Sequence, residues 1–414
     1  MAVPQWGGRE WSIAMTENKL VVTPWVDIAS FFPAGWREKA RELGVMKGAR
    51  QDKDLDATMH SLLLHLVCGL SLKETVVRAS LASPPLFSSS HVALRSRLIK
   101  FSPLFRWLAQ QLFDGGRGEA ADGVRLRLLD ATDVCEPGPT GSQWRFHYSF
   151  TLPDMACDYT RLTETRGKGT GEGFHQFPMR TGDLVIADRG YSSAAGIAYA
   201  DGKGAKVCVR VNTGSLKPQD PDGHPFRLEE RLRTLREAGE AAEWRCRIKP
   251  PDPGRIVEGR ICAVRKTPEA IRQARARQAR QETKHGHQSR PETALFNEYV
   301  ILFTTFDREA FPLPKILGIY RWRWQIELVF KRFKSLLQFG HLPTAADEAS
   351  KAWLYGKLFS ALLVERIARM LDGSFSPWRN SAGWEVGDGP GEPVETLRIA
   401  GALAPAEPGP APPA

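Results

Sequence analysis

Hydrophobic and polar positions along the chain alternate in two textures. From Leu55 to Leu81 the apolar residues recur at helical spacing, with a break at Gly69. Ser71, followed three residues later by Glu74, forms a capping box and predicts a new helix start. Ser83, Pro84 and Pro85 end that helix, and Ser88 to Ser90 offer N-caps for HVALRSRLIK. In that segment Val92, Leu94 and Leu98 are expected to face a core, and Arg95, Arg97 and Lys100 to face out. Before it, Trp25, Phe31, Phe32 and Trp36 predict a packed segment within the mixed first 50 residues. Helix, break and basic helix suit either a helix-turn-helix or an ordinary helical bundle.

Past a Gly-rich turn near 115–123 the period changes to two. In VRLRLLDATDV, Val124, Leu126 and Leu128 share one parity, and Arg125 and Arg127 the other, which predicts a strand. WRFHYSFTL (144–152) and ACDYTRLTE (156–164) predict two more. After a second Gly-rich stretch comes DLVIADRGY, whose continuous run Leu184 to Ala187 predicts a strand buried on both faces. VCVRVN, WRCRIK and NEYVILFTT (297–305) add further strands. Residues 315–340 and 346–371 predict helices, and beyond Gly373 a Pro/Gly/Ala-rich tail is expected to be disordered. No internal repeat is visible.

Composition narrows this picture. The 414 residues predict two or three domains, and 42% hydrophobic with 25% charged residues is ordinary for a globular chain. No apolar run approaches the ~20 residues of a membrane span, and MAVPQWGGREWS shows no secretory signal. Six scattered cysteines, without a C-x-x-C pair, suggest neither a zinc site nor a disulfide framework and fit a reducing cytosol. Lys and Arg number 57 against 47 Asp and Glu, a net charge of +10 that favours polyanions as partners. The charge concentrates in RKTPEAIRQARARQARQETKHGHQSR, where Arg272, Arg275, Arg277 and Arg280 are either a solvated helix face or contacts to a DNA backbone.

Three acidic residues then stand out. Asp130 and Asp188 are expected at strand ends, where a carboxylate can reach solvent or metal; buried alone, each would be costly. Tyr320, Arg323, Glu327, Lys331 and Lys334 are spaced to share one helix face, beside an apolar stripe of Ile319, Trp322, Ile326, Val329 and Phe333. A salt-bridged amphipathic helix has the same spacing.

Tyr320-x2-Arg323-x3-Glu327-x6-Lys334 matches, without a gap, the Y-(2)-R-(3)-E-(6)-K motif of the insertion-sequence 4 family of DDE transposases. Asp130-Ala131-Thr132 resembles that family's first-aspartate motif, and Asp188-Arg189-Gly190-Tyr191 its second. The resemblance spans roughly residues 55–370 and finds no counterpart for the first 50 residues or the tail. It implies an α/β fold: a ribonuclease-H-like mixed sheet flanked by helices, with a β-rich insertion subdomain and an N-terminal helical region. The implied division is a helical DNA-binding region at 1–120, catalytic core at 121–205 and 306–371, the insertion at 206–305, and the tail at 372–414. The stretch between Asp188 and Glu327 is in any case too long for a simple loop.

The resemblance also implies the chemistry. Asp130, Asp188 and Glu327 would hold two Mg²⁺ ions, with Mn²⁺ able to substitute, for DNA strand cleavage and transfer at terminal inverted repeats. Arg323, Lys331 and Lys334 would bind phosphates, and Tyr320 a phosphate near the cleaved end. Ends would open through hairpins, with Tyr299 stacking on a flipped base; a core aromatic is the alternative for Tyr299. Double-stranded DNA is the implied partner, a homodimer the implied synaptic form, and the cytoplasm, at the nucleoid, the implied location. The rivals are an inactive or domesticated DNA-binding relative, another ribonuclease-H-like nuclease such as a junction resolvase, and a helix-turn-helix regulator.

Overall fold

The computed structural model describes residues 25–371, apart from 115–124, 136, 138–141, 153–155, 168, 251–254, 287–290, 337–339, 341 and 345. The two Gly-rich turns are thus partly outside the described residues, and the expected disordered tail is wholly outside them.

Five helices come first: α1 (Trp25–Ser30), α2 (Trp36–Glu42), α3 (Leu55–Cys68), α4 (Leu72–Ser80) and α5 (His91–Asp114). Asp54 caps α3 by accepting from the Ala57 N–H at 3.0 Å, and Gly69, at φ 67°, ends it in the left-handed conformation that glycine adopts without strain. The Ser71/Glu74 capping box forms as predicted. The C-terminal helix α12 joins these five, and its bounds follow below. Phe32 meets Phe359 edge-on at 5.1 Å, and Phe105 stacks on Phe359 at 6.0 Å. These helices form a bundle. Its geometry corrects the outward placement of Arg97, which is 9% exposed and donates to the Lys47 carbonyl; Lys100 donates to the same oxygen at 2.8 Å. Val92, expected in the core, is exposed instead. The helix is rotated relative to the pattern because Leu94, Leu98 and Phe101 hold the core positions.

The strands are β1 (Arg125–Cys135), β2 (Ser142–Leu152), β3 (Ala156–Glu164), β4 (Asp183–Ala187), β5 (Lys206–Arg210), β6 (Ala241–Ile248), β7 (Val257–Arg265) and β8 (Tyr299–Thr304). They form one sheet in the order β3-β2-β1-β4-β5-β8-β7-β6. Strands β1, β4 and β5 are mutually parallel, and the remaining pairings are antiparallel. This is a mixed sheet flanked by helices. The remaining helices are α6 (Ala194–Gly202), α7 (Leu228–Leu232), α8 (Pro268–His285), α9 (Pro291–Phe296), α10 (Leu313–Arg321), α11 (Trp324–Leu336) and α12 (Asp347–Leu371).

Alternation along each strand divides the core in two. Leu126, Leu128, Leu184 and Ile186 face the bundle helices, while Leu129, Val185, Ala187 and Val209 pack against Tyr191, Ile197 and Ala200 on the other side. Every residue of β4 is buried, as its continuous apolar run predicts. Two expectations are corrected. The division at 206 cuts through the sheet: β5 pairs with β4, and β6 to β8 extend the same sheet through β5, so they share its core. The stretch 315–340 is not one helix but α10 and α11, joined by a tight turn in which the N–H groups of Trp322, Arg323, Gln325 and Ile326 bond three residues back.

Candidate active site

Strand β1 outruns its parallel neighbour. The β1–β4 pairing ends at Leu129 opposite Ala187, so Asp130 and Asp188 are the next residue on each strand. Asp130 is therefore within β1 and not at its end, and it faces the space left where β4 stops. The Ala131 N–H donates to its carboxylate at 2.8 Å. Helix α11 packs over β1 through Ile326 and Phe330, both buried, with Phe330 edge-on to Tyr148 at 6.0 Å. That packing turns Glu327 toward the two aspartates.

Arg323, at the turn between α10 and α11, ties the three together. Its guanidinium pairs with Glu327, lies 3.9 Å from Asp188 and 4.0 Å from Asp130. Tyr320 donates to Asp188 Oδ1 at 3.4 Å. The tight turn, and not a continuous helical face, is what lets Tyr320 and Arg323 reach both aspartates. Burial pushes Asp130 up to about 7; the Asp188 and Glu172 charges add to this, against the Ala131 N–H and Arg323. A carboxyl perturbed in this way is short of positive charge. An all-oxygen set with one shared guanidinium standing as its cation fits a hard divalent ion. Asp133, three residues on, is engaged elsewhere, with Arg145 at 2.9 Å.

Beside Glu327 an open cleft of about 550 Å³ is lined by Thr132, Phe330, Lys331 and Lys334. Next to Asp188, cations gather without matching acids. Burial and the Arg210, Arg189 and Arg277 charges push Lys266 down to about 8. Arg189 and Arg210 make no ion pair among the described residues, and both border a small cavity with Phe296 and Asn297.

The transposase DDE domain family matches residues 162–363, a span holding Asp188 and Glu327. Over 339 residues the chain is 29% identical to the InsL protein of insertion sequence element IS186A from Escherichia coli K12, covering 79% of this chain and 89% of the relative. It is 29% identical over 340 residues, with the same shares, to the transposase for insertion sequence element IS421 from Escherichia coli. Along most of its length the chain is thus similar to insertion-sequence transposases, and residues 162–363 carry the match to the DDE domain. A third relative, the transposase for IS231C from Bacillus thuringiensis subsp. berliner, is 29% identical over 202 residues, 45% of this chain and 41% of the relative. A solved piggyBac transposase synaptic complex with hairpin DNA aligns with a TM-score of 0.42 at 9% identity, over 92% of this chain and 84% of that one.

The matched DDE domain implies dependence on a divalent cation and DNA as partner. Among the described residues no helix is long and apolar enough to cross a membrane. The remaining predicted residues fall in two groups. Arg277 and Arg280, on α8, are exposed and form no ion pair among the described residues, whereas Arg272 pairs with Glu269 and Arg275 with Glu298 at 2.7 Å. Tyr299 is 2% exposed; its hydroxyl donates to the Leu235 carbonyl at 3.2 Å, and the Arg265 guanidinium covers its ring at 5.8 Å. The structure thus puts Tyr299 in the core with Ile301 and Phe303, whose parity it shares, and not on a surface open to a base. Of the three predicted cations on α5, Arg97 and Lys100 donate to the Lys47 carbonyl, and Arg95 is exposed without a partner among the described residues. The side chains of Val329 and Phe333 lie outside the described ones. Sequence reasoning missed Arg189 and Arg210; Arg189 stood inside the second motif and Arg210 carried no local signal, whereas Lys266 lies at the head of the basic run.

Proposed function

We propose that this transposase cuts its insertion element from DNA and rejoins it elsewhere, with Asp130, Asp188 and Glu327 holding two divalent ions, Mg²⁺ or Mn²⁺. The observation that carries the reading is the gathering of three carboxylates from β1, the end of β4 and α11 around one guanidinium. Ions held there would supply activation of the attacking oxygen and stabilisation of the leaving one. Asp130, Asp188 and Glu327 are the residues that would hold them.

The chain's own side chains do the rest. With cations held by the carboxylates, Arg323 would no longer be needed there and could fork onto a phosphate of the strand being cut. Tyr320 turns its hydroxyl from Asp188 to the same strand. Lys331 and Lys334 hold phosphates in the cleft, and Arg189, Arg210, Lys266, Arg277 and Arg280 continue the cationic path past Asp188 toward α8. An element with two ends needs two active sites, which a homodimer supplies. If ends open through hairpins, two aromatics border this cationic cavity, Phe296 and Tyr299, and the half-buried Phe296 is the more exposed of the two.

The test is a gel assay on labelled inverted-repeat DNA from the element's own ends. Cleavage should require Mg²⁺ or Mn²⁺, stop in EDTA, and vanish in Asp188→Asn while end binding persists. Binding without cleavage by the parent protein would make it an inactive relative. Cleavage of branched DNA without preference for the ends would make it a resolvase.

A further inference from the structure

Glu172 has no role in the site as drawn so far. It lies in the segment GTGEGFHQF between β3 and β4. Gln176 fixes the near side of this loop, donating to the Gly169 and Gly171 carbonyls at 2.7 and 3.0 Å. Phe174 and Phe177 fix the far side, buried against the Tyr191 ring at 5.5 and 6.1 Å. Held in this way, Glu172 reaches Gly190, two residues beyond Asp188, where a Cβ would overlap Glu172 Oε2. A side chain at position 190 would therefore displace the Glu172 carboxylate. Glu172 makes no hydrogen bond or ion pair among the described residues. Its electrostatic neighbours are Arg145, Asp133 and Asp188, and its charge acts on Asp130.

A second observation is independent of the carboxylates. Tyr191 is fully buried, yet no described group accepts a hydrogen bond from its hydroxyl. The charges that act on it are those of Asp130, Glu172, Arg145 and Asp188. Leaving a buried hydroxyl unpaired costs about 1–3 kcal/mol. A donor placed among carboxylates, with no protein acceptor, suits an oxygen in the shell of a bound cation.

We propose that Glu172 is a fourth carboxylate of the metal centre, acting on the cation that Asp130 and Asp188 hold, with the Tyr191 hydroxyl donating to an oxygen in that cation's shell. This rests on the metal reading above. The rival role for Glu172 is a loop anchor on Arg145.

The experiment titrates MnCl₂ into the full chain without DNA, follows free Mn²⁺ by electron paramagnetic resonance, and records melting in EDTA and in MnCl₂. Glu172→Gln should weaken Mn²⁺ binding about ten- to a hundredfold. In EDTA it should melt no lower than the parent, because a like-charge contact is relieved. Gly190→Ala keeps every carboxylate but displaces Glu172, and should weaken Mn²⁺ binding in the same direction. Asp188→Asn is the control and should lose binding. Loss in Asp188→Asn, with unchanged affinity in Glu172→Gln and Gly190→Ala, overturns the role of Glu172 and leaves the metal centre standing. A lower melting point in EDTA at unchanged affinity makes Glu172 a loop anchor and overturns it too. Mn²⁺ binding indifferent to Asp188→Asn overturns both readings.

Discussion

Where β1 and β4 begin, Arg125 and Arg127 meet Asp158 and Asp183; where their pairing ends, Asp130 and Asp188 meet Glu327 and a single Arg323. The first group is balanced. Arg127 is wholly buried, 2.8 Å from Asp158 and 3.1 Å from Asp183, and Ser149 and the Arg180 N–H take up remaining oxygens. Arg125 closes the square at 3.2 and 2.8 Å. The second group has more carboxylate than cation and opens to a cleft. Burial allows charge only in pairs, so the balanced end is structural. The unbalanced end keeps its charge because solvent, metal or DNA can reach it. Two ends of one strand pair thus separate stability from function.

The contrast breaks most visibly at Asp183. Asp183→Ala leaves Arg125 and Arg127 short of charge and should cost about 3–5 kcal/mol in urea unfolding. Asp188→Asn should stay within about 0.5 kcal/mol in the same measurement. Equal losses would erase the distinction between the two ends.

His147 tests burial without a charged partner. It pairs opposite Ala131, and its Nε2 lies 2.9 Å from Thr163 Oγ1. Burial pushes it down to about 4, with Arg145 and Arg161 adding. The unfolded chain binds this proton near 6.5 and the folded chain does not until about 4, so the unfolded state takes up more protons in between. Stability should therefore fall as pH drops through that window, by roughly 3 kcal/mol in all. The difference between the parent and His147→Gln, followed by chemical unfolding from pH 7 to 4, isolates it. A difference independent of pH would mean that His147 is charged in the fold.

Tyr299→Phe should cost about 1 kcal/mol through the lost bond to Leu235, and should slow nicking and hairpin formation alike. Hairpin formation alone slowed in Tyr299→Ala, at unchanged stability and with Tyr299→Phe fully active, would return Tyr299 to the DNA. The smallest effect concerns salt. Replacing Arg277 and Arg280 with Ala should flatten the logarithmic salt dependence of DNA binding by nearly one unit per lost contact. Arg272→Ala, whose partner is Glu269, should leave it unchanged.

Much of this was legible in sequence. The capping box at Ser71, the strands at 156–164 and 184–187, and the transposase motifs needed only spacing and residue type. Arg127 was not legible: its parity with Arg125 reads as a polar face, but Asp158 and Asp183 arrive from other strands and bury it. Arg97 failed for the same reason, since its partner is the Lys47 carbonyl on a distant segment. Arg210 and Glu172 sit in stretches without local pattern, and only folding brings Arg210 beside Arg189 and Glu172 near Asp188.

By itself, the sequence determined most of the elements and the resemblance to transposases, and it singled out three carboxylates as candidates, because periodicity, caps and motif spacing are properties of neighbouring residues. The tertiary structure decided which charges are paired and which are free. It set Asp130 in the gap where β4 stops, broke the signature helix at Arg323 so that one guanidinium reaches three acids, and turned Tyr299 inward. Each of these depends on what comes to lie beside a residue from elsewhere in the chain, and a charge or a ring takes its role from that surrounding.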